Sequence, residues 1–442
     1  METKKTYSNK EYKRLGDRIR SNPDNIAADD LEMLQDLRLS YKEPLSVIFN
    51  SIEKTAHKVD PNCICTYRVK RIESIISKLL RFPEMQVNRA EDIAGCRCIM
   101  TSVDDVYRLY EKLQNNRDRL PFVIKGVVHD YIAQPKESGY RSIHINAVLK
   151  DGDNRRIEVQ LRSLEHHNWA TLVEITDLLY NTKLKEHGRK ADNALFEFHR
   201  LLSRDENSLS KSDKYFIADT IIQHSYITTI GEVFARNYLD VRAQWNNMKL
   251  QRQHFFLIST GSDGIPDFLG FSYFEEAEKA YFERFVNNEE NRNIVLTHLQ
   301  KASFTKISIA YSNYFLTFNN TIVRVLLYLA EAVVSSYKEN RVKAFGRYYR
   351  NFLEIIIFWM EKQMLEADSF RRDRIVKNSL LLKTEWTNSI KSGVDALNDI
   401  TVKMHSKLKW DLLRAMPHFV MKRIQHEMRE EWLAKHPEDA AG

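Results

Sequence analysis

Hydrophobic and polar positions alternate most clearly between Arg141 and Arg162, and this pattern predicts a two-stranded hairpin. The apolar positions are Ile143, Ile145 and Ala147, then Ile157, Val159 and Leu161. The polar positions between them are Ser142, His144 and Asn146, then Glu158, Gln160 and Arg162. Successive side chains of a strand point to opposite faces, so the apolar set packs on a core. The sequence DGDN, residues 151–154, predicts the turn because Asp-Gly tolerates positive φ.

Apolar residues at three- and four-residue spacing predict an amphipathic helix from Tyr67 to Arg81, with Arg68 in its first turn. Its predicted buried stripe is Val69, Ile72, Ile76, Leu79 and Leu80. The opposite side carries Lys70, Ser74 and Lys78 at four-residue intervals. A row of cations with a hydroxyl between them suits a polyphosphate. The alternative is a solvated helix face with salt bridges.

The remaining patterns predict further units along the chain. Strands at 96–100 and 122–133, the hairpin and several helices predict one α/β domain. Strands at 254–260 and 293–300 flank a helix and predict a small α/β unit of βαβ type. The predicted units are an N-terminal helical segment (1–40), the α/β domain (41–195), a helical connector (196–250), the small α/β unit (251–320) and a mostly helical C-terminal region (321–442).

Composition describes an ordinary globular protein of 442 residues, with 43% hydrophobic and 29% charged residues. The sequence contains no apolar run of membrane-spanning length, and its first residues, METKKTYSNKEYKR, have no apolar segment of the secretory type. We therefore predict a cytoplasmic protein with no membrane partner. The net charge of +7 permits a nucleotide or RNA partner. The sequence predicts no oligomeric state.

Two further segments carry candidate chemistry. Asp92 stands just before a predicted strand, a common position for a Mg²⁺ ligand and also for a turn residue. Gly95 follows it and permits a close approach of two backbones. The four cysteines form two C-x-C pairs, Cys63/Cys65 and Cys96/Cys98; a zinc site is conceivable, but strand core is the favoured interpretation.

Four segments together resemble the RelA/SpoT-type synthetase domain of the alarmone synthetases. They are Arg68-x-Lys70-x3-Ser74-x3-Lys78, EDIAGCRCI with Asp92 and Arg97, DYIAQPKESGYRSIH, and EVQLR with Glu158, Gln160 and Arg162. The resemblance covers about residues 45 to 185, in the family order. It implies a nucleotidyltransferase-like α/β (α+β) fold with a mixed sheet. It also implies an enzyme that transfers the β,γ-pyrophosphate of ATP to a ribose 3′-hydroxyl with Mg²⁺ as cofactor.

The resemblance implies a role for each matched residue. The residues that would contact ATP are Arg68, Lys70, Ser74, Lys78 and Arg97. Asp92 would bind Mg²⁺, and Glu158 would activate the 3′-hydroxyl or share the metal. Tyr140 resembles the residue that stacks on the acceptor base. The other acceptor-pocket positions are Lys136, His144, Gln160 and Arg162.

Within the family, the chain resembles small synthetases with an appended C-terminal domain, some of which are fused toxin–antitoxins of the CapRel type. That type pyrophosphorylates the tRNA 3′-CCA end, a C-terminal pseudo-zinc-finger region restrains it through Tyr-x-x-Tyr, and phage proteins release the restraint. Tyr311 and Tyr314 match that motif, so residues 251–320 would be regulatory. The alternative is two core aromatics of a small domain.

Two alternatives to a tRNA-modifying toxin stay open. One is a (p)ppGpp synthetase that acts on GDP or GTP in the stringent response. The other is a catalytically dead nucleotide sensor, which is disfavoured because Asp92, Tyr140 and Glu158 are all present. A tRNA acceptor would need a basic surface, for which the candidates are Lys183, Lys185, Arg189 and Lys190.

Overall fold

The structure is a computed structural model that describes residues 7–87, 90, 92–152, 154–190, 192–230, 245, 253–260, 266–287, 294–299, 306–307, 310–311, 320–341, 343–352 and 354–355. The chain divides into two compact units. The first contains the described parts of Met1–Ile175 and Asp240–Thr317, and the second those of Thr176–Leu239 and Phe318–Gly442. The chain thus leaves the first unit after the hairpin and returns to it later.

Helices and strands of the first unit have the following bounds, in chain order. They are α1 Asn9–Ser21, α2 Ala28–Leu39, α3 Lys42–Val59, β1 Ile64–Val69, α4 Ile72–Arg81, β2 Ala94–Met100, α5 Val103–Asn115, β3 Phe122–Asp130, β4 Ile143–Leu149, β5 Ile157–Ser163, α6 Leu164–Leu179 (which continues into the second unit), β6 Phe255–Thr260, β7 Pro266–Phe271, α10 Phe274–Asn287 and β8 Ile294–His298. The second unit contains α7 Leu184–His187, α8 Asn193–Leu202, α9 Lys211–Gln223 and α11 Asn320–Lys338. Short 3₁₀ helices lie at Gly188–Lys190 and Glu206–Ser208.

The first unit is built on an eight-stranded sheet with the order β3-β4-β5-β2-β1-β8-β6-β7. β2 and β5 are parallel, and the other neighbouring pairs are antiparallel. The sheet is therefore mixed, and the predicted α/β fold class is confirmed. One continuous hydrophobic core contains residues of α1 to α5, the central strands and α10.

The predicted hairpin is confirmed as β4 and β5, with His144 opposite Gln160 and Asn146 opposite Glu158. Its apolar side chains are buried, as the alternation predicted. The turn differs in detail: Asn154, and not Gly152, has positive φ, at 61°. Asparagine tolerates this left-handed conformation because its short polar side chain can bond locally.

The predicted helix from Tyr67 to Arg81 is wrong in its first third. Residues up to Val69 belong to strand β1, and the helix α4 begins only at Ile72. β1 is central in the sheet and is almost wholly buried, so its sequence lacks the alternation that identifies a half-exposed strand. Arg68 therefore lies on a strand, and Lys70 lies in the link between strand and helix.

The apolar stripe of α4 also differs from the predicted one. Its buried residues are Ile72, Ile75 and Leu79. Ile76 is half-buried, and Leu80 is 40% exposed. Val69, the first residue of the predicted stripe, belongs to β1.

Strands from residues 251–320 join the same sheet as those from 41–195, so the structure differs from the predicted boundary between two domains. β8 pairs with β1 through Tyr67 opposite His298, which continues the sheet into β6 and β7. β8 is antiparallel to β6, so the segment is not of βαβ type. The strand β7 was not predicted, since Pro266 and Gly270 are residue types depleted in strands. As the edge strand it tolerates both.

The four cysteines are buried in the core of the first unit as free thiols. Cys65 faces Cys98 across β1 and β2, with the two sulfur atoms 3.4 Å apart. Burial raises the pKa of the Cys96 thiol well above its usual range. The cysteines therefore pack as small apolar residues, as the core interpretation proposed.

In the second unit, α9 packs against both α8 and α11, and a buried polar cluster joins Thr176, His199 and Tyr226. The His199 Nε2 atom lies 2.8 Å from the Thr176 hydroxyl, which lies 2.6 Å from the Tyr226 hydroxyl. All three residues are buried. Among the residues that the structure describes, in either unit, no helix is long and apolar enough to cross a membrane.

Candidate functional site

Two rows of side chains cross the centre of the sheet of the first unit. The first row is Arg68, Gly95, Glu158 and Asn146, on β1, β2, β5 and β4. The second is Thr66, Arg97, Gln160 and His144 on the same strands. Since residues two apart on a strand share a face, both rows lie on one face of the sheet. A cleft there is lined by Thr66, Arg68, Lys70, Asp92, Gly95, Cys96, Arg97, Glu158, Gln160 and Tyr311.

Asp92 is held by two lysines at one side of this cleft. The Lys70 Nζ atom donates to Oδ2 at 2.6 Å, and the Lys78 Nζ atom donates to Oδ1 at 2.7 Å. Lys70 reaches Asp92 from the β1–α4 link and Lys78 from the last turn of α4. The cations from the two ends of the predicted row thus converge on one carboxylate.

The two lysines control the ionisation of Asp92. Burial acts to raise the pKa of Asp92, but the charges and hydrogen bonds of Lys70 and Lys78 outweigh it and hold the pKa below its usual range. Burial lowers the pKa of Lys70, and the charge of Asp92 partly opposes this. Asp92 is therefore an anion at neutral pH.

Glu158 ends a chain of hydrogen bonds that begins at Tyr140. The Tyr140 hydroxyl lies 2.8 Å from His144 Nε2, and His144 Nδ1 lies 3.1 Å from Glu158 Oε1. Gln160 Nε2 donates to Glu158 Oε2 at 2.9 Å. Burial acts to raise the pKa of Glu158, but the hydrogen bond and charge of His144 and the bond from Gln160 lower it on balance. An ionised Glu158 accepts from Nδ1–H, which leaves Nε2 to accept from Tyr140.

Gly95 allows the strand that follows Asp92 to approach Glu158 closely. A Cβ atom at this position would lie 2.8 Å from the Glu158 carbonyl oxygen. The close approach predicted for this glycine is confirmed. The pairing of β2 with β5 places Gly95 opposite Glu158, and both Asp92 and Glu158 line the cleft.

An aromatic loop stands beside Glu158. Gly139, at φ +93°, turns the chain so that the Lys136 amide donates to the Tyr140 carbonyl oxygen. The Lys136 ammonium lies 4.5 Å from the Tyr131 ring centroid and 5.3 Å from that of Tyr140. Tyr131 packs edge-on against Tyr140 and His144. A cation over aromatic rings is a surface that can stack on a base.

The part of the cleft around Arg97 is cationic and is contacted by Ala310 and Tyr311. Burial, and then the charges of Arg162 and Arg68, lower the pKa of Arg97 to about 9. The Nε atoms of Arg97 and Arg162 are buried and have no hydrogen-bond partner among the described residues. The Arg97 Nη1 atom donates to the Ala310 carbonyl oxygen at 3.2 Å. Tyr311, 3% exposed, follows directly and donates its hydroxyl to Thr297.

The structure brings most of the predicted site residues together around Asp92 and Glu158. Some of these do not line the cleft and reach it through their contacts with Asp92, Glu158 or the aromatic loop: Lys78, Lys136, Tyr140 and His144. Three other predicted residues differ. Ser74 lies half-buried on α4 and is not among the residues that line the cleft. Arg162 is buried and reaches the site through Gln160, to which it donates at 3.2 Å. Tyr314 lies outside the described residues. The sequence prediction did not include Thr66, Cys96 and Tyr131; Thr66 shares a strand face with Arg68, a signal hidden by the predicted helix.

Comparison with known proteins identifies the segment that carries this cleft. The profile for the region found in RelA / SpoT proteins matches residues 67–185. We refer to these residues as the RelA/SpoT segment. The RelA/SpoT segment holds both carboxylates, both lysines and the hairpin, whereas Tyr311 lies outside it.

Curated relatives match the same part of the chain. GTP pyrophosphokinase YjbM of Bacillus subtilis (strain 168) is 34% identical over 128 residues, and GTP pyrophosphokinase YwaC of the same organism is 34% identical over 116 residues. The matches cover 27% and 24% of this chain, and the chain spans 59% and 53% of those proteins. Among solved structures, the crystal structure of small alarmone synthetase 1 from Bacillus subtilis bound to its product pppGpp has a TM-score of 0.30 and 26% identity, covering 37% of this chain and 85% of that chain.

Proposed function

We propose that the cleft is the active site of a pyrophosphokinase that transfers the β,γ-pyrophosphate of ATP to the 3′-hydroxyl of GDP or GTP. One observation carries the proposal: Asp92 and Glu158 share a cleft with Arg68, Lys70 and Arg97 inside a RelA/SpoT segment. The relatives named GTP pyrophosphokinase support GDP or GTP as the acceptor.

The cationic wall suits the donor. Pyrophosphoryl transfer places negative charge on bridging and leaving oxygens, so its catalysis depends on positioning and on cations. The unpartnered Nε atom of Arg97, which lines the cleft, favours an anion here, since a buried cationic donor otherwise lacks an acceptor. We assign Arg68, Lys70, Lys78 and Arg97 to ATP.

Glu158 suits the task of activating the acceptor. A ribose 3′-hydroxyl is a poor nucleophile, and an ionised carboxylate within hydrogen-bond reach can take its proton. Tyr140, with Lys136 and Tyr131 beside it, offers a ring on which the acceptor base can stack. His144 and Gln160 hold the Glu158 carboxylate in one orientation.

Asp92 and Glu158 would hold Mg²⁺. Hard carboxylate oxygens are the ligands this ion prefers, and one or two protein carboxylates suffice when phosphates and waters complete its shell. The donor set of the cleft fits that requirement. Bound Mg²⁺ would supply positive charge that neutralises the phosphate oxygens.

The position of Tyr311 in the cleft supports the hypothesis that a segment of the chain inhibits the enzyme. The segment Ala310–Tyr311 occupies the cationic side of the cleft, and the Ala310 carbonyl oxygen takes a hydrogen bond from Arg97 that ATP would otherwise use. We propose that this segment competes with ATP for Arg97, and that its release activates the enzyme.

The test is a labelling assay with γ-³²P-ATP and GDP, GTP, ATP or tRNA as acceptor. We expect Tyr311→Ala to increase label on GDP or GTP by about tenfold, since it removes the hydrogen bond to Thr297 that holds this segment beside Arg97. Tyr349→Ala in the second unit, an equally large truncation, should leave the rate unchanged. No label on any acceptor in wild type and in Tyr311→Ala would refute the pyrophosphokinase.

A tRNA 3′-end is the second candidate acceptor. It is favoured by a row of exposed cations in the second unit: Lys183, Lys185, Arg189 and Lys190. Backbone phosphates bind such rows in a salt-dependent manner. Lys183→Glu with Lys185→Glu should then abolish tRNA labelling and spare labelling of free nucleotide. Label on GDP or GTP alone would exclude the tRNA acceptor and, with it, the toxin interpretation.

A further inference from the structure

The main chain of Lys70 is fastened by a buried network that takes no part in the chemistry proposed above. The Arg38 Nε atom, on α2, donates to the Lys70 carbonyl oxygen at 2.9 Å. The Arg38 guanidinium is wholly buried and pairs with Glu278 of α10, with Nη1 and Oε2 2.9 Å apart. Gln35 completes the group by donating to the same Glu278 oxygen at 2.8 Å.

Tyr281 binds the other end of the link between β1 and α4, at Ile72. Its hydroxyl accepts a hydrogen bond from the Ile72 amide at 2.9 Å, and its ring lies 3.9 Å beneath the Arg38 guanidinium. The Lys70 amide donates to the Ile93 carbonyl oxygen at 2.7 Å, next to Asp92. Three contacts from distant parts of the chain thus fix the backbone of residues 70–72.

Loss of any one member of this buried network would destabilise the folded protein. A buried guanidinium and a buried carboxylate both lose hydration, and removal of one leaves the other unpaired. Apolar residues of similar volume would pack α2 against α10 at least as stably. Apolar side chains could not make the hydrogen bonds that Arg38 and Tyr281 form with the backbone of residues 70–72.

We propose that Arg38, Glu278 and Tyr281 are positioning residues for Lys70, so that α10 belongs to the frame of the ATP site. A displacement of about 1 Å in a positioned cation costs on the order of a hundredfold in rate. The inference rests on the proposed function in one respect only, that Lys70 contacts ATP.

The decisive variant is Tyr281→Phe, which removes one hydroxyl and keeps the ring beneath Arg38. Its matched control is Tyr226→Phe in the second unit, where an equally buried hydroxyl contacts Thr176. In the full chain, amide exchange of peptides that cover residues 66–75 should become about tenfold faster in Tyr281→Phe and stay at the wild-type rate in Tyr226→Phe. Equal exchange of these peptides in both variants would overturn the anchor, whatever the protein binds.

A double-mutant cycle separates positioning from stability. Tyr281→Phe should weaken ATP binding, measured calorimetrically, by about tenfold in the wild-type background and have no further effect in Lys70→Ala. A loss that persists in Lys70→Ala would show that Tyr281 does not act through Lys70. If neither the wild type nor Tyr311→Ala binds ATP, the proposed function fails, and amide exchange still decides whether the network holds the link.

Discussion

The Glu158 carboxylate accepts hydrogen bonds from His144 and Gln160 and is ionised at neutral pH. We expect Glu158→Gln to reduce pyrophosphate transfer by at least about a hundredfold, because an amide cannot take the proton of a 3′-hydroxyl. The measurement is single-turnover transfer from labelled ATP. Its control is Glu111→Gln, the same change at an exposed position of α5. Wild-type turnover in Glu158→Gln would remove Glu158 as the base.

Asp92 accepts one hydrogen bond from each of two lysines, so the loss of either leaves one oxygen without its partner. We expect Lys78→Met to raise the KM for ATP roughly ten- to hundredfold, the usual range for a lost bond between charged groups. Lys112→Met, at an exposed position of α5, is the matched control. An unchanged KM would show that Lys78 serves only to neutralise Asp92.

At the scale of residues, the sequence predicted those side chains that lie on a clear alternation or in a recognisable motif. Glu158 and Gln160 were found because they alternate with buried residues and lie in EVQLR, which matches the family motif. Arg38 could not be found, because an arginine on an amphipathic helix gives no sign that its partners are Glu278 and the carbonyl oxygen of Lys70. Such contacts depend on tertiary structure alone.

Among the strands, the close contact of β2 with β5 depends on Gly95. We expect Gly95→Ala to destabilise the protein by about 1–3 kcal/mol, because the added methyl group meets the Glu158 carbonyl oxygen and must push the strands apart. The denaturant midpoint measures this. Gly346→Ala is the matched control: its added Cβ meets nothing within 4 Å, so it should be neutral or slightly stabilising. Equal midpoints for the two variants would refute the close contact.

The junction of β1 with β8 contains a histidine that resists protonation. Burial, and then the charge of His254, lower the pKa of His298 to about 4. Its ring packs on Tyr67, Phe49 and Phe255, and its Nδ1 atom has no hydrogen-bond partner among the described residues. Below pH 6.5 His298 is protonated in the unfolded chain but stays neutral in the folded chain. The free energy of unfolding therefore falls as the pH falls toward 4.

We therefore expect His298→Phe to remove part of the loss of stability between pH 7 and pH 5, about 2 kcal/mol at pH 5. His199, whose pKa burial lowers to about 3, keeps its own contribution. Free energies of unfolding at both pH values measure the effect. His187→Phe, at an exposed position, should retain the wild-type dependence. The same dependence in His298→Phe would mean that this histidine is not protonated on unfolding.

At the scale of elements, prediction succeeded where a strand is half-exposed and failed where it is buried on both faces or atypical in composition. β4 and β5 alternate and were predicted, whereas β1 was assigned to a helix. β7 begins with Pro266 and was not predicted. Local patterns describe the solvent side of an element, and a central strand has none.

At the scale of the whole molecule, the order of the strands in the sheet was beyond local analysis. The Thr297 hydroxyl donates to the carbonyl oxygen of Tyr67, 230 positions away in the chain. No periodicity in either segment indicates that they are neighbours. A boundary was therefore predicted between segments that share one sheet.

Because β1 pairs with β8, the sheet cannot be completed until most of the chain has been synthesised. The ribosome completes β5 well before it reaches β8 and the Tyr311 segment, a delay on the order of ten seconds at about 5–20 residues per second. Until then β1 lacks its neighbour on one side, and Arg97 has no Ala310 to bind. If that segment restrains catalysis, each newly synthesised chain passes through an interval in which its inhibitory segment does not yet exist.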